Sequence, residues 1–293
     1  MVEQAIKNLE TYRLLVPKTL GAAQVGMWGH GRSYSTPQSG LMSQGKQLLT
    51  RRTKWFFAYT QAGADHVVSE GFPRIRTTVL NNTVDTEALR SELDSVTEEE
   101  IARFRDELGI EAGKTALFIG GVDDAKGIAF LLESVPHIAS LLPGFTLLIA
   151  GDGARRSDVQ AAEAQGLPIR YLGRLEGREK ARALLVSDVL AIPKGIGLVA
   201  LDSLVAGRPI VSTTDPYHGP EYEFLEDHVT CLYSPYGVKT YADAMSSLLA
   251  DRVRLSAMQN ACLAKSKEFS IALMADRFLD GLLEWDEMRR FGL

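Results

Sequence analysis

Thr115-Ala-Leu-Phe-Ile119-Gly-Gly-Val-Asp-Asp-Ala-Lys126-Gly127 reads as a buried strand that ends in a glycine turn and enters a helix. Helical spacing follows over Gly127–Leu142, and Phe145-Thr-Leu-Leu-Ile-Ala150 is another apolar run of strand length. Two such runs separated by a helix predict a βαβ unit, whose strands must pair in parallel. The same alternation continues outward. Downstream strand candidates are Ile169–Leu172, Val189–Ile192, Pro209–Thr213 and Thr230–Tyr233; upstream ones are Ala23–Trp28, Trp55–Tyr59 and Arg76–Leu80. Helical stretches are expected at Val2–Leu20, Gly45–Arg52, Gln61–Glu70, Thr97–Leu108, Arg155–Gln165 and Gly177–Leu185. Thr97-Glu-Glu-Glu100 has the form of a capping box. From Lys239 onward the chain reads as helix, with breaks near Asp251 and Phe269-Ser270. The expected class is α/β, with mostly parallel sheets.

A boundary is expected between Asn82 and Thr97, with three strand runs before it and six after. The expected division is residues 1–84, residues 85–268 and a closing helix over 269–293. The first part opens on a helical pattern rather than a strand. It therefore reads as the back half of a larger α/β domain, through either shortening or reduction.

Composition narrows the function. Of 293 residues, 45% are hydrophobic and 24% charged, ordinary values for a globular protein. Lys plus Arg total 32 against 37 Asp plus Glu, a net charge of -5, which argues against a nucleic-acid groove. Cys231 and Cys262 are too few for a disulfide framework or a cysteine zinc site, and fit a reducing compartment. The apolar runs are far too short to span a bilayer. Met1-Val-Glu-Gln-Ala-Ile-Lys reads as a helix start without a signal-peptide core. A soluble, cytoplasmic, two-part protein is expected.

Three glycine-rich turns could carry chemistry. In Phe118–Gly127, glycines allow close backbone approach to a ligand and Lys126 offers a cation to a phosphate. Gly151-Asp-Gly-Ala-Arg155-Arg156 matches a dinucleotide fingerprint only in part, and a plain strand-to-helix turn is the better reading. In Ile192-Pro-Lys194-Gly-Ile-Gly197-Leu-Val-Ala-Leu-Asp202-Ser, a helix is expected to start near Gly195 and present N–H groups to an anion. Asp202, about two turns further on, could accept two hydroxyl hydrogen bonds.

This last stretch resembles the nucleotide-sugar site of retaining glycosyltransferases of family 4, which have the two-Rossmann GT-B architecture. Similar words stand in the same order elsewhere: Phe118–Gly127, Gly151-Asp-Gly153, Tyr171-Leu-Gly-Arg174, Val186-Ser-Asp-Val189 and Ala206-Gly-Arg-Pro-Ile-Val211. Thr78-Val-Leu-Asn-Asn82-Thr-Val-Asp85 is similar to the family's interdomain link, and Trp28-Gly-His30-Gly31-Arg32 to its donor-facing loop. The resemblance implies a GT-B fold whose first domain is incomplete. It also implies transfer of a sugar from a UDP- or GDP-linked donor to an acceptor hydroxyl, with retention and without a metal or further cofactor. The acceptor would be a glycan, a lipid-linked molecule or a small molecule.

By the same resemblance, Lys126 holds the diphosphate with Gly120, Gly121 and the backbone of Gly195, Ile196, Gly197 and Leu198. Asp202 binds the ribose hydroxyls as the second acid of the family's Glu-x7-Glu pair. Gly173, Arg174 and Leu175 line the nucleobase slot, and His30 contacts the sugar near its reacting carbon. Two positions depart from the family: Lys194 stands for the first acid, and Gly121 for a phosphate-binding Arg. Lys194 could reach the diphosphate, meet a carboxylate on the donor sugar, or be solvated. Thr213-Thr-Asp-Pro-Tyr-His218-Gly-Pro-Glu221 looks like a variant within the family, which would bring His218 and Glu221 to the ligand side of the sheet.

Two other readings remain. One is a non-catalytic remnant that binds a nucleotide or a partner protein; the other is an epimerase on the same fold. His66, His137 and His228 read as solvated or turn residues. Lys46, Arg51, Arg52 and Lys54, beside Trp55-Phe56-Phe57, could meet anionic lipid as a peripheral membrane contact. A solvated helix face leading into a buried strand is favoured.

Overall fold

The computed structural model describes residues 1–4, 25–32, 40–214 and 217–291, without the side chains of 40–44 and 46. The chain divides into two compact units: Met1–Thr83 with Phe269–Leu293, and Val84–Glu268.

The second unit is built on six parallel strands: β5 (Thr115–Ile119), β6 (Thr146–Ala150), β7 (Ile169–Gly173), β8 (Val189–Ala191), β9 (Ile210–Thr213) and β10 (Cys231–Ser234). Their order is β10-β9-β8-β5-β6-β7, so the chain turns back between β5 and β8. That reversal leaves a crevice beyond the carboxyl ends of β5 and β8, where open α/β sheets take ligands. The strands are apolar on both faces because helices cover both. Leu117, Phe118, Leu147, Leu148, Ile149 and Leu190 are fully buried.

Local chemistry sets the helix ends. Thr97 and Glu100 form the reciprocal capping box that starts Glu98–Leu108, and Gly109 ends it in the left-handed conformation at φ 63°. Asp251 accepts from Arg254 N at 3.0 Å and starts Arg252–Lys265. Ser270 accepts from Leu273 N at 3.1 Å and starts Ile271–Arg290. One helix falls where only a boundary was expected. Thr86–Ser95 is capped by Asp85, which accepts from Ala88 N at 2.9 Å, and it buries Leu93 against the second core.

In the first unit, β1 (Val2–Glu3), β2 (Gly26–Gly29), β3 (Trp55–Ala58) and β4 (Thr77–Val79) form a parallel sheet in that order among the described residues. Val2–Glu3 corrects the expectation that the chain opens on a helix. Gln4 N donates to Trp28 O at 2.7 Å, so the sheet edge claims these residues through backbone pairing. The rest of the expected helix, along with residues 33–39, lies outside the described residues.

Strand β3 is buried on both faces, with alternate side chains serving two cores. Phe56 and Ala58 pack with Met27, Ala64, Val67 and Phe72. Trp55 and Phe57 pack with Leu80 under Met274, Phe278, Leu282 and Trp285 of the helix Ile271–Arg290. Trp55 stacks on Trp285 and Phe57 on Phe278, with centroids 6.5 and 4.5 Å apart. Full burial of one such aromatic side chain contributes about 2–3 kcal/mol. Among the described residues, no helix is long and apolar enough to cross a membrane.

Candidate nucleotide-binding site

A cavity of about 350 Å³ opens in the crevice between β5 and β8. On the β5 side it is lined by Gly120, Gly121 and Lys126, and on the other by Gly197, Leu198 and Asp202; Leu175 and Lys180 are also among its lining residues.

The β5 side depends on close backbone approach. Gly120 N donates to Ala150 O at 3.1 Å, and Val122 N to Asp152 O at 3.0 Å. Gly151 therefore sits in this second unit as a packing residue. Asp123 Oδ1 accepts from Lys126 N at 3.0 Å and folds the turn that delivers the lysine. Lys126 Nζ then donates to the carbonyl oxygen of Gly195 on the opposite loop. Gly195 has φ 67°, and a Cβ there would stand 3.0 Å from Lys126 Cδ, so glycine serves both the backbone and the approach. Burial pushes the Lys126 ammonium down from the ordinary lysine range, against Asp123 and Glu221, whose charges favour the ammonium form.

The opposite wall corrects one expectation. The helix starts at Val199, not near Gly195, and runs to Ala206; Lys194–Leu198 form the loop before it. Ala200 N and Leu201 N bond back to the carbonyls of Gly197 and Leu198, at 2.9 and 3.0 Å. The first turn thus offers an anion the N–H groups of Leu198 and Val199, at the positive end of the dipole.

Asp202 lies in that first turn, and its carboxylate receives Lys180 Nζ at 2.7 Å. Burial pushes the Asp202 carboxyl up, and Lys180 opposes that shift.

His218 and Glu221 lie behind the Gly197 loop, only 6% and 5% exposed. His218 Nδ1 accepts from Ile196 N at 3.2 Å, and Nε2 lies 3.2 Å from Thr213 O. This pairing fits a neutral ring protonated on Nε2. A Cβ at Gly197 would stand 3.8 Å from Glu221 Oε2, so that carboxylate underlies the loop.

The remaining expected positions are not among the residues that line the cavity. Gly173 closes β7 at φ 68° and accepts from Gly151 N at 2.7 Å, while Arg174 is exposed. Lys194 passes beside Gly127, whose Cβ would stand 3.1 Å from Lys194 Cγ. His30 belongs to the first unit, where its exposed ring meets Tyr59 edge-on at 4.5 Å. Among the described residues, no group of three or more His, Cys, Asp or Glu could hold a metal ion. Lys180 is the site residue that sequence reading missed. It sits in a helix with Arg178 and Glu179, and its partner lies 22 positions away.

Known proteins match this unit. Residues 113–251 match the family model described as glycosyl transferases group 1. Phosphatidyl-myo-inositol mannosyltransferase of Mycobacterium tuberculosis is 32% identical over 106 residues, 34% of this chain and 28% of that protein. A GDP-mannose-dependent monoacylated alpha-(1-6)-phosphatidylinositol monomannoside mannosyltransferase of Corynebacterium glutamicum is 26% identical over 164 residues, 52% of this chain and 42% of that protein. The matched part thus spans less than half the length of either relative. The crystal structure of Anabaena HepE in complex with UDP-glucose superposes with a TM-score of 0.68 at 18% identity, covering 88% of this chain and 71% of that one. At that identity the likeness shows the fold: two parallel-sheet α/β units of the GT-B kind.

Proposed function

We propose that the protein is a glycosyltransferase that moves a sugar from a nucleoside diphosphate donor to an acceptor hydroxyl, with retention, as a family 4 enzyme. The observation that carries this is the cavity at the β5/β8 reversal, with Lys126 on one side and, on the other, a helix N-terminus whose first turn holds the buried carboxylate of Asp202. Breaking the bond between the sugar's anomeric carbon and the phosphate oxygen builds negative charge on the diphosphate. Lys126 and the N–H groups of Leu198 and Val199 would stabilise that charge where it develops. Asp202 would accept from the ribose hydroxyls. A lipid-linked acceptor is favoured by the names of the mannosyltransferase relatives.

Titration calorimetry with UDP and GDP, followed by hydrolysis or transfer assays with their sugars, tests this reading. We expect binding and turnover with one donor class, and loss of both in Lys126→Ala and Asp202→Ala. Unchanged behaviour in both variants would overturn the site. His30→Ala is expected to lower turnover and leave nucleotide affinity intact.

A second reading, nucleotide binding without turnover, is favoured by Gly121, which stands where the family has an arginine. A Cβ at 121 would meet only the Asp123 carboxylate, at 2.9 Å from Oδ2, so a side chain here needs that carboxylate to turn aside. Binding without turnover of any UDP- or GDP-sugar would select it.

A further inference from the structure

Of the three cations on the helix Gly177–Val186, Arg178 and Lys180 have different surroundings. Arg178 turns outward to Glu100 at 2.7 Å, with its side chain 45% exposed, an ordinary surface pair. Lys180 turns to the cavity and meets Asp202 at 2.7 Å, with the two side chains 26% and 14% exposed. The contact uses Asp202 Oδ1. A carboxylate has about four acceptor sites, so Oδ2 and the rest of Oδ1 remain for a ligand.

We infer that Lys180 is a positioning residue of the nucleotide site, keeping Asp202 an ionised acceptor aimed at the two hydroxyls of a ribose. This rests on reading the cavity as a nucleotide site. A carboxyl group buried this deeply favours its neutral form unless a cation faces it, and burial does push Asp202 up. A protonated Asp202 would keep one hydroxyl-type donor and lose the charge that strengthens both ribose contacts. Lys180 therefore acts on the ribose through Asp202. It lies on the Leu175 side of the cavity, while Lys126 serves the glycine turn after β5.

The test compares UDP and GDP with their 2′-deoxy counterparts by calorimetry on the full chain. The wild type is expected to prefer the ribonucleotide by about tenfold, the size of one hydrogen bond to a charged group. In Lys180→Met that preference should collapse toward one, while Lys180→Arg restores most of it. Asp202→Asn should lose the preference equally, and adding Lys180→Met to it should change nothing further. Thermal unfolding of each variant separates these effects from misfolding, and Lys180→Gln serves if the methionine variant does not fold. Three results would overturn the inference alone, with wild-type binding intact. They are retained ribose preference in Lys180→Met, equal weakening of ribo- and deoxynucleotides, which assigns Lys180 to the phosphates, and tighter binding, which makes it a competitor for Asp202. Failure of the wild type to bind either nucleotide would overturn the nucleotide reading itself, and this inference with it.

Discussion

Gly151 lies so close to the carbonyl of Gly120 that a Cβ at position 151 would stand 1.8 Å from that oxygen. The contact locks the turn after β6 under the turn after β5, and Gly120 lines the cavity. The word Gly151-Asp-Gly153 is thus explained by packing: Gly153 repeats the relationship, with a Cβ there 2.5 Å from Val122 O.

Gly151→Ala is expected to destabilise the second unit by about 3 kcal/mol, since neither backbone can retreat without breaking the Gly120–Ala150 bond. Gly166→Ala is the control. Its φ is also positive, 88°, but nothing stands within 4 Å, so the conformational cost alone should be about 1 kcal/mol. Urea unfolding of both variants checks this, and equal losses would contradict it.

His218 bridges two backbone groups rather than facing the cavity. Replacing it by alanine removes the acceptor of the buried Ile196 N–H and leaves a cavity, and should cost about 3 kcal/mol. His218→Gln, which can still donate and accept, should recover part of that. If both variants unfold like the wild type, the bridge contributes nothing. We also expect His218→Ala to weaken nucleotide binding, because the Gly197 loop rests on it.

Apart from Val2–Glu3, the strands of both sheets were legible as short runs of apolar and β-branched residues between turn residues. Thr86–Ser95 was not, because its apolar residues are sparse and Leu93 alone among them is buried. Asp85, at its cap, was the available signal. Val2–Glu3 carries too few residues for any period, and it is a strand only through its partner, Met27–Trp28. In the site, Lys126 and Asp202 stood out because each follows a glycine turn. Lys180 did not, since a lysine among charged neighbours in a helix reads as solvated. Its role depends on a partner from another helix.

In the first unit, Gly281 lets the last helix meet the sheet. A Cβ there would stand 2.4 Å from Thr78 Oγ1 and 2.6 Å from Phe57 Cε1. Gly281→Val should therefore push the helix off Phe57 and cost about 2–3 kcal/mol. Trp285, stacked on Trp55, reports the displacement as a shift in tryptophan fluorescence. An unshifted spectrum with unchanged stability would count against this packing.

On the proposed nucleotide reading, Lys126 should give the site a pH dependence whose sign is set by burial. Because its ammonium is pushed down, the charge is lost earlier on raising the pH than from a solvated lysine. Only the charged form attracts a diphosphate, so affinity should fall as the pH rises through this ionisation and hold below it. An arriving diphosphate favours the ammonium and draws a proton onto the protein in that window. Binding heats should then vary with the buffer's ionisation enthalpy. Lys126→Arg, charged at every accessible pH, should abolish both the slope and the proton uptake. Lys126→Met should weaken binding about tenfold or more at neutral pH and also show no slope. If Lys126→Arg keeps the wild-type decline, the titrating group is another residue.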